Sequence, residues 1–198
     1  MSLLIESIRL EDGTFHNVGY HQRRVEDSFQ VLFGAKQILN LSKLLEGLPY
    51  PKKGLFKCRI IYDDQSADVS FIPYVPRLIR KIKLVTDDNI EYSHKFQDRT
   101  ILDSLYAMRG TCDDVLIIKR GVVTDSSFAN IVFRKSGHWY TPANPLLPGT
   151  MRRSLLEKGK IKAMAIRTEQ IRTFETFRLV NAMVGFDSPE QDVGNIIL

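Results

Sequence analysis

Apolar and polar residues alternate over residues 3–10, LLIESIRL, which predicts a strand, and Asp12-Gly13 behind it reads as a turn. Over residues 19–33, Tyr20, Val25, Phe29 and Phe33 recur near helical spacing, with Gly34 placed to end the helix. A short helix over Ser42–Gly47 follows, closed by Leu48-Pro49. Two β-rich apolar runs, Gly54–Tyr62 and Ala67–Tyr74, are joined by the polar Asp63-Asp64-Gln65-Ser66 and predict a hairpin. Pro73 and Pro76 bracket a boundary between lobes.

Beyond that boundary the pattern predicts strands over Ile82–Thr86, Val115–Lys119 and Val122–Asp125, the last two joined by an Arg120-Gly121 turn. Short strands follow at Asn130–Arg134 and Trp139–Thr141, and further strands at Ile161–Ile166 and Arg178–Ala182. Helices are expected over Asp98–Arg109, which carries Leu102, Leu105 and Tyr106, over Gly149–Gly159, and briefly near Thr168–Thr173. Strands dominate with helices interspersed. The expected class is therefore α+β or mixed α/β, in two lobes over residues 1–80 and 81–198.

A chain of 198 residues can bury a core without a disulfide scaffold. Cys58 and Cys112 lie far apart in no CxxC pair and read as buried fillers in a reducing, cytoplasmic setting. No apolar run approaches the roughly 18 residues that cross a bilayer, and the start of the chain lacks the pattern of a signal peptide. The net charge of +5 is spread out, densest at Arg77, Arg80, Lys81 and Lys83. It forms no basic stripe with interleaved aromatics, so nucleic acid is not an expected partner. The excess suits a solvated linker, or a small anionic ligand.

Several site types are missing. There is no GxxxxGK[ST] loop, no GxGxxG, no GxSxG elbow, and His16, His21, His94 and His138 have no metal-ligand spacing, so no metal is expected. What remains is distributed. Lys95 stands just ahead of a helix, Asp125 ends a strand, Arg24 lies on the first helix, and Leu147-Pro148-Gly149-Thr150-Met151-Arg152 opens another. A helix N-terminus offers N–H groups to phosphate, and arginine can grip phosphate through two parallel bonds. Each element also has a bland reading. Lys95 could be a solvated charge, Asp125 a turn residue, Thr150 a helix cap, and His21 with Arg24 a polar helix face.

The order of these segments resembles the class IV aminotransferase family of fold-type IV pyridoxal 5′-phosphate (PLP) enzymes. That family holds branched-chain and D-amino acid aminotransferases and aminodeoxychorismate lyases. Gly121-Val122-Val123-Thr124-Asp125 through Asn130-Ile131-Val132-Phe133 is similar to its G-x-(V/I)-x-E-x-x-x-x-N-(I/L)-x-F stretch. Thr141-Pro142 through Leu147-Pro148-Gly149-Thr150-Met151-Arg152 is similar to T-P-…-L-x-G-(I/V)-(T/M)-R, and His21-Gln22-Arg23-Arg24-Val25 to H-x-x-R-(L/M).

The resemblance implies that Lys95 carries PLP covalently and moves the proton, with a depressed pKa. It implies that Asp125 stands at the ring nitrogen where the family has Glu, and that Arg24, Thr150 and Met151 hold the phosphate. Leu179 through Phe186 is similar to the lyase-type N-(A/S)-(M/L)-x-G stretch, so Asn181 and Ala182 are expected to add phosphate contacts. Met151 in place of the transaminases' Thr points the same way, toward 4-amino-4-deoxychorismate lyase. An amino-acid aminotransferase and a non-catalytic PLP- or metabolite-binding protein stay as alternatives. The family implies a homodimer acting on a small anionic amino substrate. Two departures accompany the resemblance. The N-terminal lobe is expected to be shortened, and Lys95 is followed by Phe-Gln-Asp-Arg, so Arg99 either faces a substrate carboxylate or pairs with Asp98 or Asp103.

Overall fold

The computed structural model describes residues 3–34 and 38–197. The chain divides into two compact units, Met1–Pro76 with His94–Asp98, and Arg77–Ser93 with Arg99–Leu198. The crossing point follows Pro76. The segment His94–Asp98 returns to the first unit.

The first unit is built on an antiparallel sheet of β1 (Leu4–Glu11), β2 (Thr14–Phe15), β3 (Leu55–Tyr62) and β4 (Ala67–Pro73), in the order β2-β1-β3-β4. Asp12 and Gly13 reverse the chain with φ of 46° and 79°, a conformation that glycine adopts without a steric cost. Period-two alternation puts Leu4, Glu6, Ile8 and Leu10 on the inner face of β1, where all four are fully buried. That face packs against Val25 and Phe29, and against Leu41 and Leu45 of α2 (Leu41–Glu46).

The helix expected over residues 19–33 is two structures. α1 (Val18–Ser28) is regular and gives way to a π turn over Phe29–Phe33, closed by Gly34 at φ 55°. In this wider turn Phe29 meets Phe33 edge-on at 5.2 Å and stacks on Tyr62 at 6.0 Å. At the start of β1, beyond the reach of β2, the returning segment pairs with the strand. Ile5 N–H donates to the Lys95 carbonyl at 2.9 Å, and Gln97 N–H to that of Leu3 at 2.8 Å.

The second unit holds β5 (Ile82–Thr86), β6 (Asp114–Lys119), β7 (Val122–Ser126), β8 (Asn130–Lys135), β9 (His138–Pro142), β10 (Lys162–Met164), β11 (Thr176–Val180), β12 (Gln191–Asp192) and β13 (Ile196–Ile197). Their order is β10-β9-β8-β7-β6-β5-β13, with β11 also on β8 and β12 on β11. The sheet is mixed, with β5–β6, β5–β13 and β9–β10 parallel. Ile131 and Phe133 of β8 point into one core with Leu116 and Phe177. Val132 points the other way, with Val180, onto Leu155 of α4 (Thr150–Glu157). α3 (Thr100–Ala107) is the remaining helix of this unit among the described residues, apart from short 3-10 turns.

The architecture is mixed α/β, as the pattern predicts. Three details differ from it. The strand expected over Arg178–Ala182 stops at Val180, because Asn181 Oδ1 accepts N–H bonds from Met183 and Val184 and turns the chain. The run Ile161–Ile166 forms strand only over Lys162–Met164. Cys58 is buried, whereas Cys112 is half-exposed in the turn after α3 and is no core filler.

Candidate functional site

The sequence-derived site residues fall into two groups. Lys95 and Arg24 lie in the first unit, and Asp125, Thr150, Met151, Asn181 and Ala182 in the second.

In the first unit the inner face of β1 carries one acid, Glu6, among its apolar residues. On α1, His21 and Arg24 are spaced by three and share a face with Val25, so both are turned toward that strand. Arg24 Nε donates to Glu6 Oε1 at 2.8 Å and Nη2 to Oε2 at 2.6 Å. His21 Nδ1 lies 2.5 Å from the same Oε2, and we assign it the ring proton because the ionised carboxylate only accepts. Burial raises the Glu6 carboxyl, but the Arg24 charge and the His21 contacts outweigh it and hold the group at about 2. Burial holds His21 below the ordinary imidazole range, against the pull of Glu6. His21 and Arg24 are therefore no solvated helix face. His21 is fully buried and the Arg24 side chain is 12% exposed.

Lys95 sits half-buried in the segment paired with β1, and its charge bears on His21. Its neighbour His94 lies 3.4 Å, through Nδ1, from Ser28 Oγ at the end of α1.

In the second unit Asp125 of β7 is paired with Asn130 of β8 and is 5% exposed. Its Oδ1 accepts from Asn130 Nδ2 at 2.7 Å and its Oδ2 from the Leu147 N–H at 2.9 Å. Burial pushes its carboxyl up to about 6, against these bonds and the nearby charge of Arg152. Leu147 belongs to the loop that opens α4, and Thr150 and Met151 are the first two residues of that helix. Gly149 is the residue before it and brings no side chain to cap its N-terminus. Arg152 is buried one residue further on, and its Nη2 donates to the Pro142 carbonyl at 2.8 Å, fixing α4 to the end of β9.

Asn181 and Ala182 follow directly after β11. The Asn181 side-chain Oδ1 is committed to the turn it caps, and its Nδ2 reaches the Phe128 carbonyl at 3.4 Å. Arg99 Nη2 donates to the Ser127 carbonyl at 2.8 Å, while Nε stands 3.6 Å from Asp103. Its partners are thus the β7–β8 turn first and Asp103 second.

Two residues carry this geometry without having been singled out from the sequence. Glu6 had a usable signal, since an acid at an inward position of an apolar strand needs a buried partner. Asn130 had none beyond its place in a motif, because the loop it touches lies well downstream. Among the described residues no group of His, Cys, Asp and Glu is arranged to hold a metal ion.

The second unit thus sets a buried acid beside the loop that opens α4. The chain belongs to the class IV aminotransferase family: the sequence model of amino-transferase class IV matches residues 3–186. An uncharacterized protein of Haemophilus influenzae is 40% identical over 185 residues, covering 92% of this chain and 98% of its own. The crystal structure of a candidate 4-amino-4-deoxychorismate lyase from Haemophilus somnus superposes with a TM-score of 0.87 at 40% identity, covering 94% of this chain and 98% of that one. A candidate aminodeoxychorismate lyase of Schizosaccharomyces pombe is 32% identical over 122 residues, 54% of this chain and about half of that protein (53%). No helix among the described residues is long and apolar enough to cross a membrane.

Proposed function

We propose that this chain is a PLP-dependent lyase that converts 4-amino-4-deoxychorismate to 4-aminobenzoate and pyruvate, as a cytoplasmic homodimer. The observation that carries the reading is Asp125, buried and bonded to the loop that opens α4. It joins an acid and a helix N-terminus in one unit, which is what a ring nitrogen and a phosphate on one small molecule require. The similarity to two candidate lyases supports the substrate.

The residues present fit the cofactor. In the second unit Thr150 and Met151 would give backbone N–H groups to the phosphate, with Asn181 and Ala182 adding to them, and the Asp125 carboxylate would hold the proton on the ring nitrogen. In the first unit Arg24 would give its guanidinium to the phosphate, kept charged and oriented by Glu6. Lys95 Nζ would hold the cofactor and would move the proton from the amine-bearing carbon of the substrate. Bound PLP supplies the electron-accepting ring. The net reaction needs no oxidant, since loss of pyruvate leaves an aromatic ring.

The test is an absorbance spectrum of the purified protein with PLP, beside Lys95→Ala, followed by a pyruvate assay with 4-amino-4-deoxychorismate. A yellow band lost in the variant, with pyruvate released by the wild type, is the expected result. Conversion to a stable pyridoxamine form by an amino donor alone would make it an aminotransferase. A yellow protein inert with both substrate classes would be a binding protein, and a protein colourless with PLP would sink all three.

A further inference from the structure

Asn130 opens β8, and strand alternation puts it on the same face as Val132, the face packed against Leu155 of α4. It is 5% exposed, and its amide reaches two separate parts of the second unit. Nδ2 donates to Asp125 Oδ1 at 2.7 Å and to the Leu147 carbonyl at 2.9 Å. Oδ1 lies 2.0 Å from where a Cβ on Gly149 would stand. Gly149 has φ −65°, open to any residue, so the space taken by Asn130 requires glycine here and the backbone conformation does not. Leu147 N–H donates in turn to Asp125 Oδ2, closing a ring of bonds through Asp125, Asn130 and Leu147. Across the β8–β11 ladder Asn130 faces Val180, the residue before Asn181.

We propose that Asn130 is a positioning residue that locks the Asp125 carboxylate to the opening of α4, so that one side chain sets both the acid and the phosphate cradle. The proposal rests on the PLP reading for its ligand, while the lock is a property of the second unit alone. A carboxylate with donors on both oxygens is held in a fixed plane. Both protons of Nδ2 are used, one on the acid and one on the loop. An aspartate in this place would have no donor, and a serine would have one.

Asn130→Ala removes both donated bonds. Two measurements are made without PLP: the titration of the Asp125 carboxyl by carbon NMR, and hydrogen exchange at the Leu147 amide. The Asp125 midpoint, about 6 in the native arrangement, is expected to rise. Exchange at Leu147 is expected to quicken by about tenfold or more, the scale of one buried hydrogen bond. PLP added afterwards is expected to bind about tenfold more weakly than to wild type. An unchanged midpoint together with unchanged Leu147 exchange overturns the proposal. If Asn130→Ala does not fold, Gly149→Ala attacks the same contact from the other side. Its added methyl must displace Asn130 and move both measurements the same way, and a variant that moves neither also overturns the proposal. A wild-type protein that takes up no PLP refutes the cofactor reading and leaves the lock to be decided by the two PLP-free measurements.

Discussion

Glu6 and Arg24 form a two-point ion pair, with Arg24 Nε and Nη2 donating to separate oxygens of a fully buried carboxylate at 2.8 and 2.6 Å. Such a pair contributes little net stability against an apolar substitute, yet breaking it from one side leaves an uncompensated charge. It also fixes the plane of the guanidinium proposed to hold phosphate, which a lysine at position 24 could not reproduce.

Glu6→Gln is therefore expected to destabilise the protein at neutral pH by about 3–5 kcal/mol in urea unfolding. The Glu6 carboxyl is held at about 2, below its ordinary 4.5. Its contribution is present in full above 4.5 and is lost as pH falls toward 2. The gap between wild type and variant should narrow across that range. A gap that stays constant down to pH 2 would mean the pair is not ionised as described.

Asp125 has the opposite sign. Burial raises its carboxyl from 3.8 to about 6, so the native state binds the proton more tightly than the unfolded chain does. In the ligand-free protein this group should cost stability as pH rises from 3.8 to 6, on the order of 3 kcal/mol in all. Subtracting the unfolding profile of Asp125→Asn from that of wild type isolates the slope. A flat difference between pH 4 and 7 would contradict it.

Asp114 opens β6 fully buried. Its Oδ1 accepts from Ser127 Oγ at 2.5 Å, and its Oδ2 has no hydrogen-bond partner among the described residues. Burial raises its carboxyl above the ordinary value. Ser127→Ala removes the side-chain donor at Oδ1 and should destabilise the protein by about 1–3 kcal/mol at pH 7. The loss should shrink at pH 4, where the buried acid is protonated in part. Thermal melts at the two pH values check both the sign and the trend.

The two cysteines should separate cleanly. Burial pushes the Cys58 thiol up to about 12 and leaves it no exposed surface, whereas Cys112 is half-exposed. A thiol reagent at pH 8 should titrate one cysteine in the native protein and the second only in denaturant. Rapid native reaction of both would contradict the placement of Cys58 between β1 and β4.

Local pattern was enough for most elements, because apolar alternation and turn residues act over a few positions. The hairpin β3–β4, the reversal at Asp12-Gly13 and the helix opened by Pro148-Gly149 are all of this kind. The split of the first helix was not legible. Nothing in residues 29–33 distinguishes a π turn from an α turn until Phe29 has Tyr62 to stack on. The return of His94–Asp98 to the first unit was hidden for the same reason, since its backbone bonds go to Leu3 and Ile5 at the far end of the chain.

The sequence by itself determined the order of the strands and helices, because their signals are local. The resemblance of its segments to a family's motifs proposed Arg24, Lys95, Asp125 and Thr150 as the residues for chemistry. Only the tertiary structure decided what each of them touches. Glu6 is an ordinary acid until α1 lays His21 and Arg24 over it, and Asn130 an ordinary amide until the Leu147 loop closes on it. Buried polar groups must be matched by partners, and those partners are supplied by packing between elements distant in the chain, which no local periodicity encodes.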